Sequence, residues 1–206
     1  MKISSCSVGL LIFLLFSSLA SAPGEKIWEY NSNGYAWAYP FYYNNIAYFG
    51  NGNNSRTSGT IYALNAENGT EIWKFDLQGI AVYEIVQAYG NIYVSASSIS
   101  ASRSYIHCLN PYNGKCNWTY ECNADFFTGP CVYNNQVFFG FYDPDDIYYL
   151  YSINALNGDY IWKFWAERII RRTPSVGKKA VFFNAEFENM YSLKYDTGDI
   201  IWKYRH

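Results

Sequence analysis

The sequence predicts an all-β fold, a β-propeller of four-stranded antiparallel blades with four blades in the chain. Three observations carry the prediction. Tryptophans recur at a nearly fixed interval, short apolar-aromatic runs alternate with Asn/Gly turn pairs, and aromatic residues make up 21% of the 206 residues. A chain rich in Tyr and Phe and poor in helix-forming runs favours strands.

The chain begins with one Lys, an apolar run from Val8 to Phe16 and then small residues. That is the layout of a secretory signal peptide over residues 1–20, cut after Ala20, and the run is too short to span a bilayer comfortably. The expected localisation is therefore secreted, extracellular or periplasmic in type, with no transmembrane segment after signal removal. Without Lys2 the chain carries 14 basic and 17 acidic residues, a net charge of −3. This balance points to neither a nucleic-acid partner nor an anionic membrane surface.

Residues 21–206 form the repeat region. Trp28, Trp73, Trp118, Trp162 and Trp202 stand 45, 45, 44 and 40 residues apart and divide it into units of about 28–73, 73–118, 118–162 and 162–202. Twelve residues after each of the first four tryptophans comes Pro40, Ile85, Pro130 or Pro174. Ten further on, Gly50, Ser95, Gly140 or Asn184 closes an apolar run such as "IAYFG" or "QVFFG". Tyr62, His107, Tyr151 and Tyr191 each precede the next tryptophan by 11 residues, so all length variation falls between the second and third strands. For the first unit the strands are Tyr39 to Tyr43, Ile46 to Gly50, Ile61 to Asn65 and Thr70 to Phe75. Asn44-Asn45 and Asn68-Gly69 tolerate the positive φ of the tight hairpins between them. Tyr89-Gly90, Asn134-Asn135 and the glycines at 114, 158 and 198 mark the equivalent turns. Four strands in 40 to 45 residues is the size of one propeller blade.

The third and fourth strands hold the most specific pattern. Ala63-x-Asn65-x3-Gly69-x3-Trp73 recurs with Cys108, Gly114 and Trp118, with Ser152, Gly158 and Trp162, and with Ser192, Gly198 and Trp202. The small residue leaves room for a flat indole, and the glycine permits a left-handed turn. The pattern resembles the tryptophan-docking motif of the PQQ-type, or quinoprotein-like, β-propeller repeat family over essentially the whole mature chain. Asn or Lys stands here in place of that motif's Asp, and Cys or Ser in place of its Ala. The resemblance implies that these tryptophans lock neighbouring blades together, in rings mostly of seven or eight blades. Gly24-x3-Trp28 reads as an outer strand lacking its three inner partners, while the last unit already owns Trp202. The surplus copy favours an open four-blade arc, half of a homodimeric ring or a fragment of a longer gene product, over a small closed propeller.

For chemistry the sequence offers little. Quinone-dependent dehydrogenases of the family, as the resemblance implies, use a full ring, an adjacent Cys-Cys pair and acidic and amide ligands for Ca²⁺. No Cys-Cys pair occurs, so no cofactor is expected and PQQ with calcium is disfavoured. Nor does the role of the family's outer-membrane assembly lipoprotein transfer, because no lipobox cysteine follows the apolar run. Asp143, Asp145 and Asp146 offer three carboxylates, but Pro144 stiffens the run and the glycine and distal glutamate of an EF-hand are missing. His107 sits where its repeat-mates are tyrosines, which points to packing rather than catalysis. Cys108, Cys116, Cys122 and Cys131 allow three disulfide pairings in an exported chain, with Cys122–Cys131 the first expectation. Asn53, Asn68 and Asn117 begin glycosylation sequons.

The variable turns and the blade-to-blade links should emerge on one face. Phe126, Phe127, Asp143, Asp145, Asp146, Trp165, Arg168, Arg171 and Arg172 gather there as an aromatic, mixed-charge surface. The functional expectation is a secreted, non-catalytic scaffold that binds a protein or glycan partner through that face, with homodimerisation completing a larger propeller. A subunit or remnant of a PQQ-dependent dehydrogenase is the alternative.

Overall fold

One repeated position decides how each blade begins. The computed structural model describes residues 24–32, 34–36, 38–53, 55, 58–77, 81–98, 103–123, 126–142, 147–186 and 189–205. The first blade comprises β1 (Tyr35–Ala36), β2 (Phe41–Tyr43), β3 (Ile46–Gly52), β4 (Gly59–Asn65) and β5 (Glu71–Asp76), with β1 and β2 both pairing β3. The break between β1 and β2 falls at Pro40, which has no N–H for the ladder. The second blade comprises β6 (Ala81–Ala88), β7 (Asn91–Ser98), β8 (Arg103–Leu109) and β9 (Cys116–Cys122). Ile85 occupies the repeat position there, and β6 runs through it with one bulge between Val82 and Glu84. In the third, β10 (Phe126–Phe127) and β11 (Cys131–Tyr133) part around Pro130 and both pair β12 (Gln136–Tyr142), followed by β13 (Tyr148–Asn154) and β14 (Tyr160–Ala166). In the fourth, β15 (Ser175–Gly177) begins just past Pro174, ahead of β16 (Ala180–Ala185), β17 (Asn189–Lys194) and β18 (Ile200–Arg205). The four sheets are antiparallel throughout. Two carry a fifth, two-residue piece because proline splits their inner strand.

The inner hairpins are all two-residue turns with both central residues at positive φ: Asn44-Asn45, Tyr89-Gly90, Asn134-Asn135 and Lys178-Lys179. The last pair carried no turn signal in the sequence. Lysine pays about 1–2 kcal/mol for a left-handed backbone, and Lys178 and Lys179 sit at φ 45° and 76°. The double substitution Lys178→Asn with Lys179→Gly is expected to raise stability by about 1 kcal/mol, read as a higher urea midpoint. An unchanged or lower midpoint would show that the lysine side chains hold the turn by other means.

The core lies between blades rather than within them. Successive residues of a strand point to opposite faces, so Val94 joins the cluster between blades one and two while Tyr93 joins the next. Phe139 and Phe138 divide the same way between the second and third joints. Among the described residues the first and fourth sheets do not join, and the arc stays open. β18 is exposed along its whole length, and the last joint cluster ends on Val181, Phe183, Tyr191 and Leu193.

Residues 24–32 correct one expectation. They carry no strand, and among the described residues no inner strand stands beside them to complete a ladder. Side chains hold the segment instead, Trp28 and Tyr30 resting on the outer face of the first blade. Residues 1–23, including the expected signal peptide, lie outside the described residues. No helix among the described residues is long and apolar enough to cross a membrane.

Candidate functional site: the blade joints and the loop face

Trp28, Trp73, Trp118 and Trp162 each reach across a joint to the next hairpin, whereas Trp202 lies exposed at the end of the arc. Within the blades each docking-motif tryptophan faces a small residue: Ala63 opposite Trp73, Cys108 opposite Trp118, Ser152 opposite Trp162 and Ser192 opposite Trp202. In the four that cross a joint, Nε1 donates to a carbonyl of the following unit. Trp28 reaches Ala66 at 2.9 Å, Trp73 Pro111 at 2.8 Å, Trp118 Ala155 at 3.1 Å and Trp162 Tyr195 at 2.9 Å. The glycines lie beneath these indoles. A Cβ on Gly114 would stand 2.6 Å from Trp73 Cε3, and Gly69, Gly158 and Gly198 meet Trp28, Trp118 and Trp162 in the same way. All four glycines also have positive φ. The hairpin itself is closed by an Asx turn: Asn65 Oδ1 accepts from the N–H of Glu67 and Asn68, and Asn110 repeats this with Tyr112 and Asn113. Lys194, at that place in the last unit, instead pairs with Asp199 at 3.3 Å.

The loop face follows from strand register. Gly52↔Gly59 and Thr60↔Asp76 put the turn after β3 at the same end as the exit of β5, and Tyr142↔Tyr148 with Tyr148↔Ala166 repeats this in the third blade. The opposite face holds the tight hairpins. On the loop face Trp165 is 61% exposed, and Arg168, Arg171 and Arg172 are exposed on the link that follows it. That link is anchored. Ile170 is buried, pairs with Ala185 in an isolated bridge, and lies where a Cβ on Gly140 would touch it at 2.8 Å. Arg171 pairs with Glu186 at 3.5 Å, and Lys203 donates to Glu167 at 2.6 Å. The Lys203 ammonium holds the Glu167 carboxyl below its usual range. Phe126 and Phe127 form β10, paired to Tyr142 and Phe141 at the end of β12. Asp143, Asp145 and Asp146 lie outside the described residues.

Residues at the inner edges of three blades also meet, which sequence spacing did not foretell. Thr173 Oγ1 donates to Glu84 Oε2 at 2.7 Å, across the bare backbone of Gly129. Any side chain at 129 would collide with the Glu84 carboxylate, so the glycine sets how closely these blades converge.

The cysteines correct the disulfide expectation, since all four are free thiols. Cys122 ends the outer strand of one blade and Cys131 starts an inner strand of the next. Cys108 and Cys116 sit on adjacent strands but face different joints, Cys108 toward the third blade and Cys116 toward the first. Burial pushes the Cys108 thiol up to about 11. Of the sequons, Asn68 is exposed and its Oδ1 accepts from Thr70 N and Oγ1. Asn117 is exposed and donates to Asn91 at 2.9 Å, while Asn53 is half-buried in a loop closed by Ser58. His107 is buried, with Nδ1 2.9 Å from Thr119 Oγ1 and its ring stacked on Tyr105. Burial pushes its pKa down to about 4.

These joints define the molecule as an open arc of a tryptophan-docked β-propeller. The family model described as "Outer membrane protein assembly factor BamB" matches residues 16–102 and 57–206. The chain belongs to this family of PQQ-type repeat proteins. It is 30% identical over 102 residues to the tetrathionate hydrolase of Acidithiobacillus ferrooxidans, covering 49% of this chain and 19% of that protein. Among solved structures it resembles BamB from Moraxella catarrhalis, with TM-score 0.65 and 16% identity over 84% of this chain and 54% of that one. It also resembles quinohemoprotein alcohol dehydrogenase ADHIIG from Pseudomonas putida HK5, with TM-score 0.62 and 15% identity over 87% of this chain and 35% of that one. The chain thus spans about a fifth of the hydrolase, half of BamB and a third of the dehydrogenase.

Proposed function

We propose that the chain is a secreted, non-catalytic propeller scaffold that binds a protein or glycan partner through its loop face. The observation that carries this reading is Trp165, an indole 61% exposed at the end of β14, beside arginines on a link that Ile170 pins to the scaffold. Exposed aromatic and arginine side chains on a rigid support lose little freedom on binding and dominate recognition surfaces. The kinship with BamB, an assembly factor by description, supports a protein partner.

The test is capture of ligands from the host's secreted and envelope fractions and from a glycan array, with wild type beside the triple variant Trp165→Ala, Arg168→Ala, Arg172→Ala. The expected result is a ligand whose binding the triple variant weakens at least tenfold and Tyr160→Ala leaves unchanged. A ligand bound equally by all three proteins would move the site off this face.

The dehydrogenase likeness raises a second reading, a subunit or remnant of a PQQ enzyme. The residues present do not fit that cofactor. The described thiols are separated on β8, β9 and β11, and no adjacent pair occurs in the sequence. Among the described residues no group of three His, Cys, Asp or Glu side chains is placed to hold a cation. Saturable uptake of PQQ with Ca²⁺, followed by absorbance, would revive it.

A further inference from the structure

The two ends of the arc are complementary in the repeat's own register. At the second joint Tyr93, Ile106, Cys108 and Trp118 of one blade cover Val137, Phe139, Ile153 and Ala155 of the next. Shifted along the repeat, the covering set becomes Phe182, Met190, Ser192 and Trp202 of the fourth blade, and the covered set becomes Ala47, Phe49, Leu64 and Ala66 of the first. Met190, Trp202 and Tyr204 are 40%, 41% and 60% exposed.

The first blade's face is only half covered. Trp28 takes the place a docking tryptophan would hold, against Gly69 and the Ala66 carbonyl. Tyr30 takes the place of the aromatic two residues on, packing on Phe49 and Tyr62 and donating to Glu71. Among the described residues none takes the places of Phe182 and Met190. A cavity of about 520 Å³ lies there, lined by Trp28, Tyr30, Ala47, Phe49 and Leu64 among others. The segment thus imitates the outer strand of a blade, with no inner strands beside it among the described residues.

We propose that the first blade is the docking surface for the fourth blade of a second copy of this chain. Trp202 and Tyr204 of that copy displace Trp28 and Tyr30 from the socket, while its Phe182 and Met190 fill the cavity. Two such junctions would close two arcs into one ring of eight blades. Charge favours this occupant. Residues 24–77 carry five carboxylates against three cations, and residues 160–205 carry nine cations against five carboxylates. Opposite fields steer the two ends together and oppose head-to-head contact. Segment 24–32 acts as a plug that tunes the association, since it must leave before a second copy can dock.

The test is molar mass by light scattering on a size-exclusion column, over a range of loading concentrations, for wild type, Trp28→Ala and Trp202→Ala. The proposal expects concentration-dependent dimerisation. Trp202→Ala, at an exposed site outside any joint of the single chain, should weaken it at least about 30-fold. Trp28→Ala should strengthen it about tenfold by removing the plug. The double variant should return to the monomer, which separates competition for one socket from general instability. Two results would overturn the proposal: a wild type and Trp28→Ala that both stay monomeric at the highest concentration, or a Trp202→Ala dimer as tight as wild type. Folding of each variant is checked by circular dichroism.

Discussion

Replacing Trp73 with alanine is expected to lower stability by about 4 kcal/mol, whereas the same change at Trp202 should cost less than about 1 kcal/mol. Both side chains sit at the same repeat position, so composition and strand propensity predict equal losses. Their surroundings differ. Trp73 is 8% exposed and lies over Gly114, while Trp202 is 41% exposed. Truncating Trp73 empties a joint between two blades and removes one of the two donors on Pro111 O, leaving Tyr48 Oη at 3.0 Å. In a chain of this size a 4 kcal/mol loss corresponds to a melting temperature lower by about 10 °C, visible in a calorimetric scan. Equal shifts for the two variants would mean that the joints are not where the stability resides.

Acid is expected to destabilise the chain through His107. Its pKa falls from the ordinary value near 6.5 to about 4 because burial penalises the imidazolium. With the folded pKa below the unfolded one, the unfolded chain takes up the proton first as pH drops. The stability linked to neutral His107 is whole above pH 6.5, falls between pH 6.5 and 4, and is spent below 4. Its size is on the order of 3 kcal/mol at 1.36 kcal/mol per pH unit. The other three units carry tyrosine at this position, so His107→Tyr keeps a ring in the joint and removes the titration. Urea midpoints at pH 7 and pH 4.5 should show wild type losing about 2–3 kcal/mol more than the variant over that interval. Parallel losses would assign the acid sensitivity to carboxylates common to both.

Much of the fold was legible because a propeller repeats its solutions. The interval between tryptophans, the small residue in the third strand and the turn glycine each reflect a local demand that recurs in every unit. The structure shows one physical source for all three: an indole lying on the next blade's hairpin, with no space for a Cβ beneath it. What escaped the sequence was not periodic. Lys178-Lys179 makes the same turn as Asn44-Asn45 without turn residues, because the flanking strands Ser175–Gly177 and Ala180–Ala185 impose it. The Glu84–Thr173 contact joins residues 89 positions apart, through a convergence of blades that no spacing reveals. Cys122 and Cys131 are free thiols on separate strands, Cys122 on an outer strand and Cys131 on an inner strand of the next blade.

The sequence by itself determined the blade, the docking tryptophans and the face on which the variable loops emerge, since each depends on neighbours within one or two units. Only the tertiary structure decided that Trp28 fills a socket without belonging to a strand and that the four cysteines are free thiols. It also decided which of the arrangements left open by the surplus Trp28 copy, the favoured open arc or a small closed propeller, the described residues adopt. Those outcomes depend on how whole sheets stack across joints, where burial of apolar area and the curvature of successive blades outweigh anything a local stretch of residues prefers.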